Sequence, residues 1–253
     1  MLLDDDRIQA VIITTRNSLH AQITFDAVKK GKHVFVEKPL AIKKNELDKL
    51  IRVNKTHPDR IIQVGFNRRY APMTRKIIEY FKNRNGPMII HYRINAGKLP
   101  KSHWVYEDEE GGSRYISEMC HFIDYCQFVI GHKISSSSVQ FVGTESMNEK
   151  ERKENLVLSL SFKDGSLASI IYNTIGEADT IKEYVEIESE GSTVKLFDFR
   201  EMHIIKGGKI SKTKNHLRTE KGHKEELVEF ISNIINKQNP FQEYIITTKI
   251  TLS

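Results

Sequence analysis

Glu37, Lys38 and Pro39 follow directly on HVFV, residues 33 to 36, so a charged pair lands where an apolar strand stops. A lysine there can hydrogen-bond and polarise a carbonyl oxygen, or steady an alkoxide-like oxygen when a hydride leaves the neighbouring carbon. The same residues also read as a surface Glu-Lys pair capping a strand. His121 is the second group of interest. On a helical wheel Ser117, Glu118, His121 and Asp124 share one face, and Ile116, Met119 and Ile123 occupy the other. An imidazole so placed can trade a proton with a hydroxyl near neutral pH, with Glu118 the nearest acid. The competing readings are a hydrogen-bonded structural histidine, or half of a metal site. No second His/carboxylate pair has matching spacing, so no metal is expected.

These residues need elements to hold them. IQAVIIT at 8 to 14 is nearly continuous apolar sequence, as in a strand covered on both faces. Asn17 or Ser18 can cap the helix that follows, whose Leu19, Ile23 and Ala27 recur every four residues before Gly31. HVFV comes next, then a helix with Leu47, Leu50 and Ile51, then the strand IIQV at 61 to 64. That alternation predicts a parallel sheet with crossover helices. From about residue 70 the pattern changes. MIIHYRINA alternates, with Ile90, Tyr92 and Ile94 on one face and His91, Arg93 and Asn95 on the other. NLVLSLSF and SLASIIYN flank the hairpin signal Asp164-Gly165, and three further strand-like runs follow. Helices are predicted around 114 to 130 and 223 to 236, and the serines 135 to 138 read as a short loop. The first strand has no neighbour in front of it, so its edge is expected to be bare. No G-x-G-x-x-G occurs in the sequence.

The 253 residues are 39% hydrophobic and 28% charged, a composition with room for a sizeable core. The formal charge of +6 is scattered through mixed runs such as EKERKE at 149 to 154, which argues against nucleic-acid binding. With no apolar run of about 20 residues and an acidic MLLDDDR start, a cytoplasmic protein without a membrane segment is expected. Cys120 and Cys126 fall on different helix faces and are expected to be buried thiols.

Taken together, AVIITTRNSLHAQITFDAVKKGKHVFVEKPL, VGFNRRYAP, NAGKLPKSHW and GGSRYISEMCHFIDY resemble the glucose-fructose oxidoreductase, inositol dehydrogenase and MocA family. The nearest likeness is to the dehydrogenase-like module of bacterial two-part oxidoreductases, where a zinc-type alcohol dehydrogenase half stands upstream. FKDGSLASIIY, IKEYVEI, DFREM and KGHKEEL extend the resemblance over essentially the whole sequence. It implies an α/β protein: a partial Rossmann-type parallel sheet over 1–69, its first half absent, then an α+β domain over 70–253 with a large, mostly antiparallel open sheet. It also implies NAD or NADP as cofactor, a sugar or sugar-nucleotide substrate, and a homo-oligomer.

By the same resemblance Lys38 and His121, with Glu118, are the catalytic residues, although Ser117 stands where many relatives carry an aspartate. Thr14, Thr15, Arg16, Asn17, His20, Glu37, Lys38, Pro39, Asn67 and Arg68 are implied on the cofactor side. Thr14 to Asn17 read equally as a helix-capping turn, and Arg68 and Arg69 as solvent salt bridges. Lys38, Tyr70, Asn95, Lys98, His103, Trp104, Arg114 and His121 are implied on the substrate side; Trp104 reads equally as a core residue. Gly111-Gly112 would allow close backbone approach to a ligand, or give a flexible helix entry. Without a glycine turn, the alternative reading is a non-catalytic remnant or assembly module unable to hold a dinucleotide.

Overall fold

The computed structural model describes residues 2–107, 109–143, 153–215 and 219–253. Residues 149–152 of the EKERKE run therefore lie outside the described residues. The chain divides into two compact units. The first comprises Met1–Phe66, Lys101–Asp124 and Lys224–Ser253; the second comprises Asn67–Pro100 and Tyr125–His223. The first unit thus takes in two stretches beyond the expected 1–69. Among the described residues no helix is long and apolar enough to cross a membrane.

In the first unit, strands β1 (Ala10–Ile13), β2 (His33–Val36) and β3 (Ile62–Val64) pair in parallel in the order β1-β2-β3. Helices α1 (Asn17–Lys29) and α2 (Lys44–Thr56) make the crossovers. β1 lies at the edge, as expected, but it is not covered on both faces as its apolar sequence suggested: Ile12 is 58% exposed.

The core joins Ile13, Val34, Val36, Leu47, Leu50, Val64 and Phe66 to Phe241 and Tyr244. Those two residues belong to a C-terminal helix missed by the sequence reading, Phe241–Thr251. Its β-branched isoleucines and threonines favour strand over helix. In the helix the hydroxyls of Thr248 and Thr251 donate to the carbonyls four residues earlier, which satisfies them inside the core. On another face of the sheet Phe35 meets Phe230 of helix His223–Asn236 edge to face, centroids 5.8 Å apart.

Helix α1 differs from expectation. Its buried residues are Asn17, His20, Ala21, Thr24, Ala27 and Val28, whereas Leu19 is 48% exposed. Neither Asn17 nor Ser18 caps it: the cap position is Arg16, with no side-chain cap hydrogen bond. Asn17 and His20, not Leu19, face inward because both have hydrogen-bond partners there.

The second unit contains α3 (Pro72–Phe81), also missed from sequence, and an eight-stranded sheet. In chain order its strands are β4 (Ile89–Asn95), β5 (Ile134–Phe141), β6 (Leu156–Phe162), β7 (Leu167–Asn173), β8 (Glu183–Ser189), β9 (Ser192–Phe197), β10 (Glu201–Lys206) and β11 (Lys209–Lys214). They lie in the order β11-β10-β9-β8-β4-β7-β6-β5, and all neighbours are antiparallel except β4 and β7. One face buries Ile90, Tyr92, Ile94, Ile170 and Val185; the other exposes Ile89, Leu167 and Ile171. The serines 135 to 138 are not a loop: they lie in β5, an edge strand paired with β6 and exposed along most of its length. With nothing to bury, that strand leaves no alternation in the sequence. Helix α4 (Arg114–Ile130) starts in the first unit and ends in the second. Its Cys120 and Cys126 are buried free thiols.

A buried charge cluster organises the second unit. Arg68 Nε and Nη2 donate to the two oxygens of Glu183 at 2.8 Å each. Lys221 Nζ donates to Glu183 Oε1 at 2.6 Å and Asp198 Oδ1 at 2.9 Å, and the Tyr92 hydroxyl also donates to Glu183. Burial alone would raise the Glu183 carboxyl, but Arg68 and then Lys221 outweigh it and hold the group far below the usual carboxylate range. A depressed folded pKa gives stability that is complete above the unfolded value and is lost as pH falls below it. The melting temperature should therefore fall progressively from about pH 5 downward, and Glu183→Gln should flatten that acid limb while lowering the neutral-pH value. Arg68→Ala, which strands a buried carboxylate, should cost about 3–5 kcal/mol in denaturant unfolding.

Candidate functional site

The parallel register pairs Ile13 with Val36 and Val36 with Val64. Three strands therefore stop at one level, and Thr14, Glu37 and Gly65 follow side by side at the carboxyl edge, where open α/β sheets hold ligands. Thr14, Thr15 and Arg16 are exposed. The Glu37 carboxylate lies against Gly65, so near that a Cβ there would sit 3.2 Å from Oε2. Lys38 and Pro39 are joined by a cis peptide bond. The Lys38 side chain crosses to α4, where Nζ donates to the carbonyl of Ser117 at 3.3 Å.

Around this lysine the backbone is held by buried polar side chains. Asn17 Nδ2 donates to the carbonyl of Gly111 at 3.1 Å and to Ser117 Oγ at 2.8 Å, and Ser117 Oγ donates to the same Gly111 carbonyl at 3.0 Å. The His20 ring, 1% exposed, lies between two carbonyl oxygens: Nδ1 is 2.8 Å from that of Pro39 and Nε2 is 3.1 Å from that of Thr15. The Ser18 N–H at the start of α1 donates to the Glu110 carbonyl at 3.1 Å.

On α4, Glu118 turns toward Arg114, whose Nε donates to Oε1 at 3.0 Å. The Arg114 side chain is 3% exposed and that of Glu118 is 24%. Positions 114 and 118 stand one turn apart on the same face, and the Glu118 carboxylate that the sequence offered to His121 is engaged by Arg114. His121 is half-buried, with its ring edge-on to Phe66 at 6.1 Å. It follows Ser117 by one helical turn. Arg16 stacks over Trp104, 4.4 Å from the ring centroid, and its Nε lies 3.5 Å from Glu110 Oε2. Trp104 is half-buried beside His103, ring centroids 5.6 Å apart, and so is not a core residue.

Gly111 serves packing within the chain. A Cβ there would fall 2.3 Å from the Val105 carbonyl oxygen, a backbone approach only glycine permits. The close approach expected for a ligand is made by Val105 instead.

The remaining residues belong to the second unit. Asn67 Nδ2 donates to the Lys221 carbonyl at 2.8 Å. Arg68 is engaged by Glu183, and Arg69 lies over the Phe128 ring at 5.1 Å, so both arginines are buried and not solvent salt bridges. Asn95 is buried and donates to the Glu177 carbonyl at 2.6 Å. Tyr70 is half-buried and Lys98 is exposed. The functional group that sequence reasoning overlooked is the Ser117 carbonyl. Residue type marks side chains, and a main-chain acceptor leaves no such signal.

A parallel sheet with a polar edge, and a large open, mostly antiparallel sheet in a second unit, define a two-unit α/β architecture. Residues 1–66 match the family model described as the oxidoreductase family with an NAD-binding Rossmann fold, GFO_IDH_MocA. Inositol 2-dehydrogenase/D-chiro-inositol 3-dehydrogenase of Halalkalibacterium halodurans is 28% identical over 176 residues, covering 66% of this chain and 47% of that protein. Myo-inositol 2-dehydrogenase of Thermotoga maritima is 24% identical over 173 residues, covering 67% and 51%. The chain spans about half the length of these curated relatives. Among solved structures, an oxidoreductase domain protein from Kribbella flavida superposes with a TM-score of 0.84 at 18% identity, covering 99% of this chain and 78% of that one. Levoglucosan dehydrogenase in complex with NADH and levoglucosan gives 0.81 at 18%, covering 98% and 77%. Residues 1–66 thus carry the family match, and over the rest of the chain the likeness to these solved structures is one of fold.

The Gly111 packing gives a direct check. Gly111→Ala should lower stability by at least about 2 kcal/mol in denaturant unfolding, because two backbones must part. Gly86→Ala, where the nearest atom would be the Glu190 Cγ at 3.5 Å, should be tolerated.

Proposed function

We propose that this chain is the hydride-transfer module of an NAD(P)-dependent oxidoreductase acting on a hydroxyl or ketone of a sugar or sugar nucleotide. The observation that carries the reading is Lys38, an ammonium at the carboxyl end of the central strand, aimed by one carbonyl and with two N–H donors left for a substrate oxygen. The nicotinamide side fits: exposed Thr14, Thr15 and Arg16 stand at the neighbouring strand end, beside Glu37, Lys38 and Pro39. Asn17, His20 and Arg68, also expected there, have polar groups engaged within the chain. NAD(P), when bound, gives or takes the hydride. In oxidation the substrate hydroxyl passes its proton to the His121 imidazole, while Lys38 Nζ donates a hydrogen bond to the oxygen as it becomes a carbonyl; in reduction the proton returns. Trp104 and His103 offer an aromatic surface beside a polar group, a pairing that suits a sugar ring. The inositol dehydrogenases and levoglucosan dehydrogenase among the relatives support a polyol-like substrate.

A second reading, a module that does not hold the dinucleotide by itself, is favoured by one observation. The β1-to-α1 turn is Thr14-Thr15-Arg16 without glycine, and the Ser18 N–H at the helix start is taken by Glu110. Fluorescence titration with NADH and NADPH separates the two. Saturable micromolar binding, weakened by Lys38→Ala, is expected for the enzyme; absence of binding up to millimolar nucleotide overturns that reading for this chain.

The exposed Ile89, Leu167 and Ile171 on the open sheet face support self-association. Light scattering should report a dimer or larger species, reduced by Ile171→Lys. A monomer at high concentration overturns this.

A further inference from the structure

Lys38 is a flexible four-carbon side chain, and its position depends on both of its ends. At the base, the next residue's carbonyl, that of Pro39, is 2.8 Å from His20 Nδ1, and the opposite ring nitrogen meets the Thr15 carbonyl at 3.1 Å. His20 thereby sits between the turn after β2 and the turn after β1, its ring N–H donating to one of the two carbonyls. At the tip, Nζ meets the Ser117 carbonyl, and Ser117 is held through its hydroxyl by Asn17 Nδ2 and by the Gly111 carbonyl. Asn17 and His20 are 5% and 1% exposed, so both ties lie out of reach of competing water. Both come from the first turn of one helix, α1.

We propose that Asn17 and His20 are positioning residues for Lys38, fixing its amine at tip and base, rather than contacts to a cofactor. They make the first turn of α1 a template on which the Lys38–Pro39 turn and the first turn of α4 are registered. The catalytic meaning of this template rests on the role proposed for Lys38; the template itself rests on the bonds above.

The test is site-resolved acylation of lysines in the full chain by a limiting amine reagent, read by peptide mass spectrometry, with exposed Lys82 and Lys206 as internal controls. Asn17→Asp keeps the shape but cannot donate, Asn17→Ala removes the group, and His20→Gln keeps a smaller polar contact; circular dichroism confirms folding. In every folded variant the Lys38 rate should rise about fivefold relative to the controls, the factor that one net hydrogen bond is worth. The Asp and Ala variants at 17 should match, because the donated bonds and not the volume set the effect. If Lys38 is labelled at the wild-type rate, or if the control lysines rise in step, the positioning role is overturned. Labelling needs neither cofactor nor substrate. Undiminished nucleotide binding by Lys38→Ala would therefore sink the catalytic reading while leaving this result standing.

Discussion

In-register parallel pairing is the constraint on which the first unit depends. Because Ile13, Val36 and Val64 stand level, three chain reversals begin at the same height. Crossover helices return the chain to the opposite edge after the first two, so polar residues collect at one end without all of them having to be adjacent in sequence. Lys38 follows from this geometry. A charged residue placed two positions after a buried strand cannot turn back into the apolar core, and the nearest acceptor it meets is a helix carbonyl. A neutral carbonyl orients the ammonium without cancelling its charge, which leaves the positive field available to a reacting oxygen.

The second unit is organised differently. Its sheet is apolar on one face, yet at the start of β8 it buries a carboxylate among two cations and a phenol. Such an arrangement gains little over an apolar core, but breaking any one contact strands a buried charge. It is therefore a specificity device: only one placement of the segment after β3, the start of β8 and the segment before the His223–Asn236 helix satisfies every charge at once.

Much of this could be read in advance. Strict alternation in MIIHYRINA, the Asp164-Gly165 turn and the apolar HVFV each have one physical explanation, and each appears as expected. The failures share a cause. β5 is polar because it lies at an edge, so its pairing is purely main-chain and has no pattern. The Phe241–Thr251 helix is rich in strand-favouring residues, and tertiary burial overrides that preference. Asn17 looked like a cap because caps and buried asparagines use the same residue, and only the position of Gly111 and Ser117 decides between them. At the site, Lys38 falls at the end of a strand that the sequence did reveal, whereas the bond from Arg114 to Glu118, between two neighbours on one helix, was not anticipated.

Phe241 and Tyr244 share one core with Ile13, Val36 and Val64. During synthesis from the amino terminus, the first strands therefore emerge long before the residues that finish their core. The second unit, made wholly of residues 67 to 223, is complete earlier. Folding on the ribosome must then run out of sequence order: the unit begun second closes first, and the three parallel strands wait with apolar surface uncovered.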